Sequence, residues 1–128
     1  MTIELTMLAY SVALSFLLIM IPAAVNLHMN GPVWGASNRE RDPRGNAFRD
    51  RAIRARNNMF EAMALFTPLV LIAAVAGITN ETTVFGAQLF FYSRLAHTGL
   101  YLAGVTWIRT AAWLGGVIGT AMIFLALL

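Results

Sequence analysis

Four stretches of mainly apolar residues, each about long enough to cross a bilayer, divide the chain, and polar residues collect between them. Residues 5–27 carry no charge, with Glu4 just before them, and about 20 apolar residues suffice for one helical span. The segment lacks a positive n-region and is longer than the roughly 7 to 15 residues of a signal-peptide core, so it is expected to stay in the mature protein. Pro22 near its end is tolerable in a membrane helix whose neighbours re-satisfy the freed carbonyl. Later apolar runs predict spans over residues 50–78, 83–105 and 108–128.

Residues 29–48 hold Gly31, Pro32, Gly35, Asn38, Asp42, Pro43, Gly45 and Asn46. This is turn chemistry throughout, and it predicts one long loop, of a kind more often functional than idle. Thr79, Asn80, Glu81 and Thr82 predict a turn short enough to make spans two and three antiparallel neighbours. The fold class expected is an all-α integral membrane four-helix bundle, with residues 1–128 as a single domain.

Composition sharpens this reading. The 128 residues are 59% hydrophobic and only 12% charged, with a mean hydropathy of +0.68, against the quarter or so charged in ordinary soluble chains. Soluble nucleotide-binding folds and disulfide scaffolds are excluded. With no Cys there is no thiol nucleophile or thiolate metal site, and two histidines make no credible metal set. The net charge of +3 comes from nine basic residues, all Arg, and seven of them lie between Arg39 and Arg56. Between two hydrophobic segments such a cluster reads as a marker of the cytoplasmic side rather than a nucleic-acid site. Arg109 marks the same side, whereas only Glu4 and Glu81 flank the other ends. Both termini are then expected on the non-cytoplasmic face.

The charges inside the apolar runs carry the chemistry. Arg51, Arg54, Asn58 and Glu61 recur at spacings of three, four and three, so they share one helix face. Arg94, His97 and Tyr101 do the same on span three. An ionisable residue within a span costs about 2.5 to 3.5 kcal/mol on insertion scales, so each needs a partner, and an ion pair between Glu61 and Arg94 is expected. Such a pair can simply fix two helices in register. It can also support a polar pocket lined by Arg51, Arg54, Asn58, His97, Tyr101 and Arg109, where guanidinium groups would hold carboxylates bidentately. For Arg39, Arg41, Arg44, Arg49 and Arg56 snorkelling to the headgroups is the better reading; for Arg51, Arg54 and Arg109 the two readings weigh equally. His28 reads as interfacial, and the scattered Met residues as core filler. Gly115 and Gly119 form a small-xxx-small pair that permits close helix packing.

The segment Arg51-Ala-Ile-Arg54-Ala-Arg-Asn-Asn58-Met-Phe-Glu61 resembles the signature of the MAPEG superfamily, the membrane-associated proteins in eicosanoid and glutathione metabolism. Arg94-Leu-Ala-His97-Thr-Gly-Leu-Tyr101 resembles the third-helix segment of microsomal prostaglandin E synthase and its relatives, and Ile108-Arg109-Thr110 the motif that opens their fourth helix. The resemblance implies a homotrimer of four-helix subunits with glutathione as co-substrate, bound between neighbouring subunits near the cytoplasmic side. Carried over by position, Arg51, Arg54, Asn58, Glu61, His97 and Tyr101 would bind glutathione, Arg109 would stabilise its thiolate as the catalytic residue, and Arg94 would pair with Glu61. Glutathione would supply the sulfur that the chain lacks.

Asn57 and Trp113 replace an Arg and a Tyr of the prostaglandin E synthases, which points away from prostaglandin synthesis. Arg without Lys is the usage of a GC-rich bacterial source, hence an inner-membrane location. The expected function is a glutathione-dependent transferase or peroxidase for small lipophilic electrophiles that partition into the bilayer. The alternative is a non-catalytic lipid-binding or scaffold protein of the same superfamily. A small multidrug exporter fits poorly, because residues 5–27 contain no acidic side chain.

Overall fold

The computed structural model describes all 128 residues as four helices, α1 (Ile3–Ala36), α2 (Ala47–Ala76), α3 (Glu81–Ala103) and α4 (Trp107–Leu127), with no strand. Local chemistry sets most of their ends. Thr2, Asn46 and Asn80 cap the first three helices by accepting from the backbone N–H of Leu5, Arg49 and Thr83. At Asn80 the Thr83 hydroxyl accepts in return from the cap N–H, closing a capping box. Gly77 and Gly104 end α2 and α3 in the left-handed conformation, with φ of 67° and 79°, which glycine adopts without a Cβ clash.

One boundary departs from the sequence reading. The helix does not stop before residue 29 but continues to Ala36, so the connection is Ser37–Asn46 rather than 29–48. Gly31 (φ 82°, ψ 163°) breaks the axis, and Pro32 opens a new helical turn, where its fixed φ and missing N–H cost nothing. The Gly-Pro pair that reads as a turn therefore makes a kink.

α1, α2 and α4 are long and apolar enough to cross a membrane. At 1.5 Å per residue α1 and α2 run to roughly 50 and 45 Å, beyond the ~30 Å hydrocarbon core, so their ends project past it. α2 and α3 each touch every other helix, whereas α1 and α4 do not meet. The core is a seam of inward positions: Met7, Leu14 and Leu18 on α1, Ala55, Met59, Phe66 and Val70 on α2, Ala87 and Phe90 on α3, and Ile123 on α4. Phe66 and Phe90 stack with centroids 3.7 Å apart and planes 7° from parallel. Only 24 of 128 residues are buried, and large apolar side chains such as Phe16, Leu65, Ile118 and Leu125 face outward. An exterior this apolar is stable only against lipid.

The two ends of the bundle differ chemically. At one, the buried Glu4 carboxylate accepts from the Thr79 and Thr83 hydroxyls at 2.8 and 2.5 Å, tying the start of α1 to the α2–α3 turn. At the other, Arg51 Nε donates to the Leu102 carbonyl at 3.3 Å, tying the start of α2 to the end of α3. The arginine-bearing loop and the α3–α4 turn thus share one end.

The widest interface joins α3 to α4, and it depends on glycine. A Cβ on Gly119 would sit 2.5 Å from the Gly86 carbonyl oxygen and 2.8 Å from the Phe90 nitrogen, both rigid backbone. A Cβ on Gly115 would instead meet the Ser93 hydroxyl, which can rotate away. Gly119→Ala is therefore expected to lower stability by about 1–3 kcal/mol and Gly115→Ala by clearly less, as read by thermal unfolding of the two variants in detergent.

Candidate functional site

A cleft of about 670 Å³ opens between α2 and α4, with α3 as its floor. Leu65, Leu69 and Ile72 line the α2 wall, Trp113, Val117 and Phe124 the α4 wall, and Phe90 the floor. Its polar lining comes mainly from Asn58 and Glu61 on α2 and Arg94 on α3. The helical period explains the convergence: Asn58 and Glu61 lie one turn apart on the lateral face of α2, and Arg94 continues the inward seam of Thr83, Ala87 and Phe90.

Arg94 is 1% exposed. Its Nη2 donates to Asn58 Oδ1 at 2.7 Å, while its Nε has no partner. The expected ion pair between Glu61 and Arg94 does not form within the chain, whose one ion pair is between the neighbours Arg49 and Asp50. The physical reason is reach and solvation. The Asn58 amide oxygen reaches Nη2 from within the bundle, whereas Glu61 lies on an exposed part of α2 where its carboxylate stays clear of the core. α4 accommodates the arginine through Gly116, where a Cβ would stand 3.1 Å from Arg94 Cδ.

A second cluster lies further along α3, toward the α3–α4 turn. The His97 and Tyr101 rings meet edge to face at 5.4 Å, and Arg109, from the first turn of α4, places its Cζ 4.2 Å from the Tyr101 ring centroid. This is a cation–π arrangement, and it fixes the side chain of Arg109 across the α3–α4 junction. His97 is buried and its Nδ1 has no partner.

Within one chain the structure therefore joins Asn58, Glu61 and Arg94 around the cleft, and His97, Tyr101 and Arg109 in a stack. It brings Arg51 to the end of α3, where its Nε is engaged by Leu102. Arg54 is exposed and makes no hydrogen bond or ion pair, so it joins neither group. The sequence reading missed three structural participants. Glu4 was legible as a helix-flanking acid but not as a buried one. Trp34 is buried, with its indole N–H on the Arg41 carbonyl at 2.9 Å, and Gly116 clears the space for Arg94. No feature of the linear pattern marks Gly116 apart from its neighbour Gly115.

Because Asn58 is the partner of a buried cation, Asn58→Ala is expected to cost about 1.5–3 kcal/mol, whereas Glu61→Ala, at an exposed position, is expected to cost under about 0.5 kcal/mol. Unfolding of the two variants side by side measures the difference; equal losses would place the main partner of Arg94 elsewhere.

The model of the MAPEG family matches residues 7–128, which takes in all four helices and both clusters. No curated protein and no solved structure matches the chain. A family match over nearly the whole chain, on a four-helix bundle with an apolar exterior, identifies an integral membrane protein that belongs to the MAPEG family.

Proposed function

We propose that this protein is a membrane-bound glutathione-dependent transferase or peroxidase acting on small lipophilic electrophiles. The observation that carries the reading is the α2–α4 cleft: its walls are apolar, and its polar groups, Asn58, Glu61 and Arg94, gather on one part of the lining. An electrophile dissolved in the bilayer can enter such a cleft sideways, while a charged thiol approaches from the arginine-bearing end.

The residues present fit an acidic tripeptide. Arg94 Nε and His97 Nδ1 are buried polar atoms without partners, and a buried unpaired donor or acceptor costs about 1–3 kcal/mol until something satisfies it. Arg54 supplies a free cation, and Glu61 a free carboxylate suited to an amino group. Glutathione, when bound, supplies the nucleophilic sulfur. The part of this chain is to bind carboxylates through arginine, to orient the peptide through the Asn58 amide and Tyr101, and to set a positive charge at Arg109 beside the thiol. A thiol of pKa about 8.5 is mostly protonated at neutral pH, and a neighbouring cation lowers that value and raises the thiolate fraction.

Arg54 stands apart from the Tyr101–Arg109 stack in one chain, and a second copy supplies what is missing. The reading includes the homotrimer that the family resemblance implies, with the recess completed across a subunit boundary. All four helices then act as one four-span domain in a bacterial inner membrane, with the arginine-rich end cytoplasmic and both termini on the other side. A non-catalytic lipid-binding role is the second reading, favoured by the extent of apolar wall in the cleft.

Conjugation of glutathione to a chloronitrobenzene by the purified protein tests the first reading. Arg109→Ala is expected to lower the rate about 10-fold near pH 7, the effect of about one unit in thiol pKa, and to recover much of it above pH 9, where thiol ionises unaided. Glutathione is also expected to raise the unfolding temperature, since it binds only the folded state. A thermal shift without turnover would keep glutathione as a ligand and reject this electrophile, whereas neither shift nor turnover would reject glutathione and favour the lipid-binding role.

A further inference from the structure

The arginine-bearing loop is not idle chain. Asn30 holds it at both edges of one amide: its Nδ2 donates to the Arg44 carbonyl at 2.9 Å, and its Oδ1 accepts from the Arg44 N–H at 2.7 Å. Trp34 holds it a second time through the Arg41 carbonyl. Ser37 accepts from the Arg39 N–H at 3.1 Å, supporting Arg39 in the left-handed region at φ 55°, a conformation that a side chain other than glycine adopts at a cost. These bonds fold Ser37–Asn46 back over the kinked turn of α1 and border an open cleft of about 510 Å³ whose lining residues are mostly polar in type, among them Asn30, Ser37, Arg39 and Arg41, with Trp34 beside them.

The charges in this cleft are pre-positioned and partly free. Arg39 lies over the Trp34 ring at 5.3 Å, and its Nε and Nη2 both donate to the Gly35 carbonyl, leaving Nη1 unused. Arg41 is exposed, and no group of the chain engages its guanidinium. Glu40 also lines the cleft, so two cations face one carboxylate and the balance is a single positive charge. That suits a singly charged phosphodiester better than a doubly charged free phosphate. The setting lies past the hydrocarbon core, at the level of the headgroups: Val33, on the same turn, is 83% exposed beside the arginines.

We propose that the cleft between the kinked end of α1 and the Ser37–Asn46 loop binds the phosphodiester headgroup of an anionic phospholipid, held by Arg39 and Arg41. This site is separate from the α2–α4 cleft and does not depend on the glutathione reading. A diffuse positive surface would attract the same lipids without any site. The hydrogen-bonded loop and the engaged Arg39 distinguish the two, because a built site requires these two arginines and not merely the net charge.

The test is a titration of the purified full chain in neutral detergent with short-chain phosphatidylglycerol, read by unfolding temperature and by lipid retained in native mass spectrometry. Phosphatidylglycerol is expected to bind, and phosphatidylcholine of the same chain length to bind at least 10-fold more weakly, since surface arginines contribute about 1 kcal/mol each toward anionic lipid. On the same basis Arg39→Gln combined with Arg41→Gln is expected to weaken phosphatidylglycerol about 25-fold, and Arg56→Gln, which removes a charge outside the cleft, less than about twofold. Equal binding of the two lipids, an unaffected double variant, or an equal loss in Arg56→Gln would each overturn the proposal. Competition by glycerol phosphate at the concentration of the lipid would assign the cleft to a soluble phosphate ester and overturn the lipid headgroup.

Discussion

A guanidinium 1% exposed, in the middle of a bundle whose outside is apolar, is the constraint on which the rest of the structure depends. Removing Arg94 from water is expensive, and the helices around it are arranged accordingly. Asn58 on α2 gives it an amide oxygen, and Gly116 on α4 gives room for its stem. Phe90, one turn earlier on α3, stacks on Phe66 and seals the core beside it. The cation therefore fixes the relation of α2, α3 and α4, and these same three helices shape the cleft in which it lies.

Packing in such a bundle cannot rely on an apolar inside and a polar outside, because lipid is as apolar as the core. What holds the helices is close approach and local polar bonding. Gly86 and Gly119 bring the backbones of α3 and α4 together. At the ends, short polar ties replace a hydrophobic drive: Glu4 to Thr79 and Thr83 at one, Arg51 to Leu102 at the other. The fold is thus built from a few directional contacts set in a nonspecific apolar surface, and its functional groups belong to that same small polar set.

The candidate site was partly legible for the same reason. Polar residues are so rare within the apolar runs that Asn58, Glu61, Arg94, His97, Tyr101 and Arg109 stand out by type, and their spacing puts each group on one helix face. The partner of each could not be read this way. Charge alone matches Glu61 with Arg94, yet the side chain in reach is the neutral Asn58. Likewise Arg109 rests on the Tyr101 ring, a contact that depends on how α4 leaves the turn at Gly104.

By itself the sequence determined the all-α membrane class, the antiparallel order of the helices and the faces that carry polar groups, because these follow from run length and from the 3.6-residue period. Only the tertiary structure decided that Gly31 and Pro32 kink a helix instead of ending it, that Glu4 is buried, that Gly119 rather than Gly115 meets rigid backbone, and which oxygen Arg94 holds. The last three depend on distances between residues far apart in the chain, and a linear pattern specifies which way a side chain faces but not what stands opposite it.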